Sequence, residues 1–331
     1  LTENLLEMPN SEQHSEASEE SKEILVRLQE IDQRIADLLE QRAELWEKLA
    51  GQEYLARGLF SKALGVAYLG PQHSYSHAAA RKYFGTTQAL HPVASIAAVF
   101  EEVQRGQSRY GVVPIENSTD GRIVDTMANF IQRPIRICGE VLLPIHHNLL
   151  SNSDRSSIVK VYSKPQALSQ CRRWLSEHLP DAQRIEVAST AQAAKIAKQE
   201  LGAAAIASLE AALEYSLPMV CESIEDDPNN ATRFAIIGTD QPKPTGKDKT
   251  SLLFQVPHQP GALADAMLLF KDNQINLTWI ESLPVPGTPN EYYFFVELDG
   301  HTDQPSLSKA IATLNEHALR LDILGSYPRG S

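Results

Sequence analysis

From Gly65 to Gly238 short apolar runs of strand length alternate with helical patterns, and this alternation restricts the fold more than any other feature of the chain. GVAYL (65–69), YGVVPI (110–115), IRICGEVLLPI (135–145), VKVYS (159–163), RIEVA (184–188), AAAIAS (203–208) and TRFAIIG (232–238) read as strands. SHAAARKYF (76–84), VASIAAVFEEV (93–103), ALSQCRRWLSEHL (167–179) and TAQAAKIAKQE (190–200) read as helices. Strands and helices in turn imply an α/β domain with mixed or parallel sheets. Two such lobes with a cleft between them account for roughly 175 residues.

The pattern changes on both sides of this region. Residues 1–20 are acidic and Ser-rich, a composition expected to stay disordered. Ile24, Leu28, Ile31, Ile35, Leu38, Leu45 and Leu49 then recur in steps of four and three, with Arg42 in the one missing slot. Such a heptad seam predicts one long helix over 21–52 that pairs with a partner helix. After a polar, Pro-containing linker at 239–249, SLLFQV, GALADAMLLFKDN, INLTWIESL, EYYFFVEL, PSLSKAIATLNEHA and LDILGSY follow in the order βαββαβ. That order is a ferredoxin-like unit over 250–329.

The formal net charge of -12 argues against a nucleic-acid or anionic-membrane surface, which needs clustered Lys and Arg. It leaves room for a small anion held by two or three basic groups. Cys138, Cys171 and Cys221 are few, odd in number and far apart, so neither a disulfide framework nor a zinc cage is expected, and a reducing cytoplasm fits. No apolar run reaches membrane-spanning length, and the first residues do not read as a secretory signal.

Three segments concentrate chemistry. Gly70-Pro71-Gln72-His73-Ser74-Tyr75-Ser76-His77 follows the first strand, and its serines suit either an anion at a helix start or a simple N-cap. Pro114-Ile115-Glu116-Asn117-Ser118-Thr119 runs from a strand into a polar cluster, where α/β sheets gather binding residues. Asn229-Asn230-Ala231-Thr232-Arg233-Phe234 places a hydroxyl and a guanidinium at a strand start. Strand neighbours face opposite ways, so Thr232 and Arg233 reach one pocket only near a bend. His73 and His77 have a spacing that permits a metal, but the Glu of an HExxH motif is missing and no metal site is expected.

Together these segments resemble the prephenate dehydratase family: a Gly-Pro turn with Ser-Tyr-Ser, then VPIENS before Gly121, GEVLLPIHHNLL, and TRF, in order over about 64–240. The resemblance implies a two-lobed domain like the type 2 periplasmic binding proteins. It implies loss of carbon dioxide and hydroxide from prephenate, with no metal or organic cofactor. Thr232 would assist the departing hydroxyl, and Arg233 would anchor a carboxylate. Asn117, Ser118, Glu116 and Ser76 would complete the catalytic set, with Ser74, Phe234 and Thr190 on the substrate. Gly261-Ala262-Leu263-Ala264 and Ile280-Glu281-Ser282-Leu283-Pro284 resemble the two phenylalanine-binding motifs of an ACT domain, with Asn276 nearby. Leu283 stands where that second motif usually has Arg. L-phenylalanine bound between subunits of a homodimer or tetramer is the implied effector.

The 21–52 helix resembles the first helix of an α-helical chorismate mutase, and Arg42 matches one active-site Arg. The second expected Arg falls on Leu25, and only about a dozen residues separate the helix from the dehydratase region. A dimerisation helix without mutase activity is therefore expected. Arogenate dehydratase, a bifunctional mutase–dehydratase and a non-catalytic amino-acid sensor are the alternatives.

Overall fold

A computed structural model of the chain describes residues 65–85, 87–119 and 121–330, and in the N-terminal segment Ile24, Val26, Arg27, Glu30, Ile31, Gln33 and Arg34. The chain divides into two units, 1–62 and 63–331. The described N-terminal residues are helical, and the seam residues Ile24 and Ile31 are exposed. The rest of the seam, Arg42 and the acidic tail lie outside the described residues.

The second unit opens with β1 (Val66–Leu69), α1 (Tyr75–Phe84), β2 (Leu90–Val93), α2 (Ile96–Gln104), β3 (Tyr110–Asn117), β4 (Gly121–Arg122), α3 (Val124–Gln132) and β5 (Arg136–Pro144). A second lobe follows: β6 (Asn148–Ser151), β7 (Lys160–Ser163), α4 (Pro165–Gln170), α5 (Arg172–His178), β8 (Gln183–Glu186), α6 (Thr190–Gln199), β9 (Ala203–Ala207), α7 (Leu209–Tyr215) and β10 (Met219–Cys221). The chain then returns to the first lobe as β11 (Ala231–Gly238). It ends in β12 (Asp248–Gln255), α8 (Ala262–Asp272), β13 (Leu277–Pro284), β14 (Tyr292–Asp299), α9 (Pro305–His317) and β15 (Arg320–Pro328).

The first sheet has the order β2-β1-β3-β11-β5, with β4 on β3. Its β1 pairs in parallel, whereas β11 runs antiparallel to both β3 and β5. The returning strand is therefore wedged into the middle of a sheet made mainly before the second lobe. Its first residues sit where the chain crosses between lobes, and Thr232 is among them. The second sheet, β10-β6-β9-β7-β8, is also mixed. Alanines on β9 and α6 are completely or nearly completely buried there, which lets helix and sheet approach closely.

The third sheet, β13-β14-β12-β15, is antiparallel, as the βαββαβ order predicts. One face carries Leu252, Phe254 and Val296 against α8 and α9. The other carries Leu253, Phe295, Leu324 and Tyr327 against the first sheet, in one core with Val113, Ile137, Phe100 and Phe130. Strand β12 is thus covered on both faces, which explains its unbroken apolar run. The region expected to be a linker separates two sheets that share a hydrophobic layer. It also gives its end to β12, whose first residue, Asp248, accepts from the Thr245 and Gly246 N–H groups.

Local chemistry accounts for the boundaries that differ from expectation. Helix α2 starts at Ile96 rather than 93 because Ser95 caps it, accepting from the Ala98 N–H, and Val93 belongs to β2. The single helix expected over 167–179 is broken at Cys171 into α4 and α5. Elements β2, β4, β6, β10, α3 and α7 were not expected. Among the described residues no helix is long and apolar enough to cross a membrane.

Gly325 marks a close approach of the third sheet to the first. Its φ is +149°, and a Cβ there would run into the Ile137 backbone. Gly325→Ala should lower the unfolding free energy by about 1–3 kcal/mol, read as an earlier urea midpoint. An unchanged midpoint would show that the two sheets separate at little cost.

Candidate active site

A cavity of about 430 Å³ lies between the first two lobes. Strand ends and helix starts converge on it because both sheets direct their loops into the cleft. Residues from the starts of α1, α2, α3 and α6 line it, among them Ser74, Ser76, Ile96, Asp125, Ser189 and Thr190. Helix starts carry unpaired N–H groups and the positive end of the helix dipole, so the cleft favours an anion although the protein is acidic. Lys164, at the end of β7, is the only Lys or Arg among the described residues lining the cavity. Leu69, Ile123, Ile145 and Phe234 supply an apolar wall.

Thr232 and Asn117 share one wall. The Asn117 Nδ2 donates to Thr232 Oγ1 at 2.8 Å and to Asn230 Oδ1 at 3.1 Å. Thr232 Oγ1 therefore accepts from Asn117 and keeps its own O–H for a partner in the cleft. The chain of hydrogen bonds continues across the lobes. Asn230 Nδ2 donates to Gln170 Oε1 at 3.1 Å, and Gln170 Oε1 lies 2.9 Å from His147 Nε2. Burial lowers the His147 pKa below its ordinary 6.5, outweighing Gln170 and Glu225, which raise it. The His147 Nδ1 lies 3.1 Å from the Tyr75 hydroxyl. That hydroxyl donates to the His146 carbonyl at 2.7 Å.

The expected residues divide between two places. Ser74, Ser76, Asn117, Thr190, Thr232 and Phe234 line the cavity. Ser74 also caps α1, accepting from the His77 N–H. Ser118 is exposed beside it, tied to the start of β11 by its N–H to the Ala231 carbonyl and its Oγ to the Ala231 N–H. Arg233 and Glu116 are not in the cavity, which corrects the expectation that they act there. Alternation along β11 sends Thr232 and Phe234 into the cleft and Arg233 out of the opposite face. There Arg233 donates to Glu116 at 3.0 Å, to Glu140 at 3.0 Å and to Glu297 at 2.6 Å, and lies over the Trp279 ring. Burial works to lower the Arg233 pKa, but Glu297 and Glu140 raise it well above the ordinary value. The Nε and Nη1 groups of Arg233 are thereby held by carboxylates of the protein.

The C-terminal candidates are likewise divided. Gly261, with φ +86°, precedes α8, and Ala262, Leu263 and Ala264 form its first turn. Ala262 and Leu263 border a cavity of about 110 Å³ with Tyr292 and Phe294. Ser282 pairs with Phe294 in the sheet and shares its face, whereas Glu281 points the other way and accepts from Arg122 at 2.6 Å. Asn276 donates to Asp299. Leu283 is buried in the core shared with the first sheet.

Lys164 and Gln170 were missed as cleft residues. Lys164 was discoverable, since it follows VKVYS at a strand end. Gln170 depends on the packing of one lobe on the other. The spacing of His73 and His77 reflects a local contact, in which the His73 N–H donates to His77 Nδ1 and His73 Nε2 pairs with Glu214.

A family model described as prephenate dehydratase matches residues 66–242. A bifunctional chorismate mutase/prephenate dehydratase of Stutzerimonas stutzeri is 44% identical over 270 residues, covering 80% of this chain and 73% of that protein. A prephenate dehydratase of Mycobacterium sp. (strain JLS) is 33% identical over 281 residues, 80% of this chain and 89% of that one. The crystal structure of a prephenate dehydratase from Arthrobacter aurescens, in complex with L-Phe, has a TM-score of 0.75 at 31% identity, covering 80% of this chain and 90% of that chain.

Two buried histidines give the site a pH signature. Burial lowers both His147 and His77 below 6.5, His77 with help from His73 and Arg81. Below about pH 6.5 the unfolded chain binds more protons at these sites than the folded one. Their cost to stability is absent above that pH and grows as pH falls toward their folded values. His147→Gln removes one of these titrations and should flatten the decline of unfolding free energy between about pH 7.5 and about pH 5. An identical slope would mean that His147 is not held neutral.

Proposed function

The chain belongs to the prephenate dehydratase family, and from that membership we propose that its interlobe cavity converts prephenate to phenylpyruvate. The observation that carries this reading is the Thr232 hydroxyl, oriented by Asn117 and facing a cleft made for an anion. In the reaction the ring loses its carboxylate as carbon dioxide. The electron pair of the broken bond enters the ring, and the hydroxyl on the opposite carbon leaves as hydroxide. With one proton it becomes water. Aromatisation supplies much of the driving force, so the protein need only bind two carboxylates, orient the ring and help the hydroxyl depart.

Thr232 donates a hydrogen bond to the departing hydroxyl. A Thr hydroxyl is a weak acid, so its contribution is positioning and stabilisation of developing charge. Lys164 and the starts of α1 and α6 take the carboxylates, in place of Arg233. The apolar wall around Phe234 receives the ring. Asp125 also borders the cavity and is a group that would recognise an ammonium, so arogenate is the second substrate to compare.

L-phenylalanine is proposed as the effector, bound at the start of α8 with Ser282, between the C-terminal ACT domains of two copies of the chain. The crystal structure of the Arthrobacter relative in complex with L-Phe supports this reading, as does the exposure of Ile280 and Ser282 on edge strand β13. A cytoplasmic location is in keeping with free Cys138, Cys171 and Cys221. Chorismate mutase activity is not part of the proposal, because the resemblance supplies only Arg42 of the expected arginines.

Purified protein should form phenylpyruvate from prephenate in the presence of a chelator, and turnover of arogenate and chorismate should be slower or nil. Thr232→Ala should lower kcat by about 10²–10³-fold while leaving KM nearly unchanged, and Thr232→Ser should retain most of the rate. A fully active Thr232→Ala would remove Thr232 from this role, and chorismate turnover would overturn the single-activity reading.

A further inference from the structure

The wall of the cavity that carries Thr232 and Asn117 is held from behind by the C-terminal sheet. On β13, Trp279, Glu281 and Leu283 share one face by strand alternation, opposite Glu297, Phe295 and Tyr293 of β14. Leu283, Phe295, Trp279 and Tyr293 belong to the core shared with the first sheet, so this face looks toward the catalytic strands. Two arginines of the first lobe meet it. Arg233 reaches Glu297 and Trp279, and Arg122 reaches Glu281 at 2.6 Å.

Each arginine is one step from a cavity group. Arg233 adjoins Thr232 in β11. Arg122 lies in β4, where the β3–β4 pairing sets Arg122 opposite Glu116 and Gly121 opposite Asn117. The Asn117 side chain in turn donates to Thr232. The Arg122–Glu281 pair is partly exposed, at 39% and 20%. Such a pair adds little to global stability. What it can do is hold the β3–β4 hairpin in one place against β13.

We infer that Arg122 is a positioning residue for the dehydratase reaction. Its ion pair with Glu281 sets the hairpin that aims the Asn117 amide at Thr232, so the C-terminal sheet forms part of the catalytic support. Arg233 is the buried companion anchor, and it keeps β11 registered on β14 while Arg122 orients the hairpin. Any ligand that shifts β13 then has a mechanical route to Thr232, and the coupling runs equally in both directions.

The inference rests on the dehydratase reading for its kinetic test, and a structural readout tests it separately. Arg122→Glu and Glu281→Arg should each lower kcat for prephenate about tenfold, with KM changed less than about twofold and the unfolding midpoint held. The double reversal should restore about half of the wild-type kcat or more. In parallel, amide exchange at Ser118 and in 231–234 should quicken in the single variants and slow again in the double. Single variants with wild-type kcat and wild-type exchange would overturn the inference. So would a loss that follows a lowered unfolding midpoint and is not restored in the double variant. A wild-type chain inert toward prephenate would sink the dehydratase reading alone, because the exchange comparison still decides the role of Arg122.

Discussion

The first sheet and the third are joined through a buried ion cluster, and the placement of strand β11 depends on it. Arg233 and Lys249 meet Glu116, Glu140 and Glu297, carried on β11, β12, β3, β5 and β14. Burial alone would raise the pKa of the Glu140 carboxyl. Lys249, the Gly330 N–H and Arg233 overcome that and hold its pKa below the ordinary carboxylate value. Among the described residues no buried side-chain nitrogen or oxygen lacks a hydrogen-bond partner. A cluster of this kind is a weak source of net stability, since desolvation offsets most of the attraction. Its consequence is geometric. Arg233 satisfies its partners in only one register of β11, and that register puts Thr232 into the cleft.

This division of labour along three residues links fold to chemistry. Thr232 and Phe234 serve the cavity, and Arg233 between them serves the sheet behind. The potential of the cavity consequently comes from other groups. Several helix starts and Lys164 provide local positive potential in a chain whose formal net charge is -12. The two facts agree, because a small site feels the dipoles and charges within a few ångströms, while screened surface carboxylates act weakly at longer range.

Much of the fold was legible because burial imposes a period. Strands covered on both faces, such as β9 and β12, gave unbroken apolar runs, and α2 and α6 gave helical spacing. The missing elements were those with weak patterns. Strand β2 is LHPV, with Pro92 exposed in it, and β6 is a four-residue strand that begins with Asn148. Thr232, Asn117 and Ser76, singled out together through the family resemblance, all line the cavity. Gln170 was not legible, because it enters the cleft only when the second lobe closes the hydrogen-bonded chain to Asn230.

The sequence by itself determined the alternation of strands and helices, the βαββαβ order of the last domain and the local motifs, because each follows from a hydrophobic period or from capping chemistry within a few residues. Only the tertiary structure decided which way the polar residues of those motifs face. Arg233 and Glu281 each sit in a motif that suggests a ligand, yet each turns to a partner on another sheet. The reason is the two-residue period of a strand combined with long-range pairing. Adjacent side chains must leave by opposite faces, and what waits on each face is settled by strands distant in sequence, 64 residues away for Arg233 and Glu297 and 159 for Glu281 and Arg122.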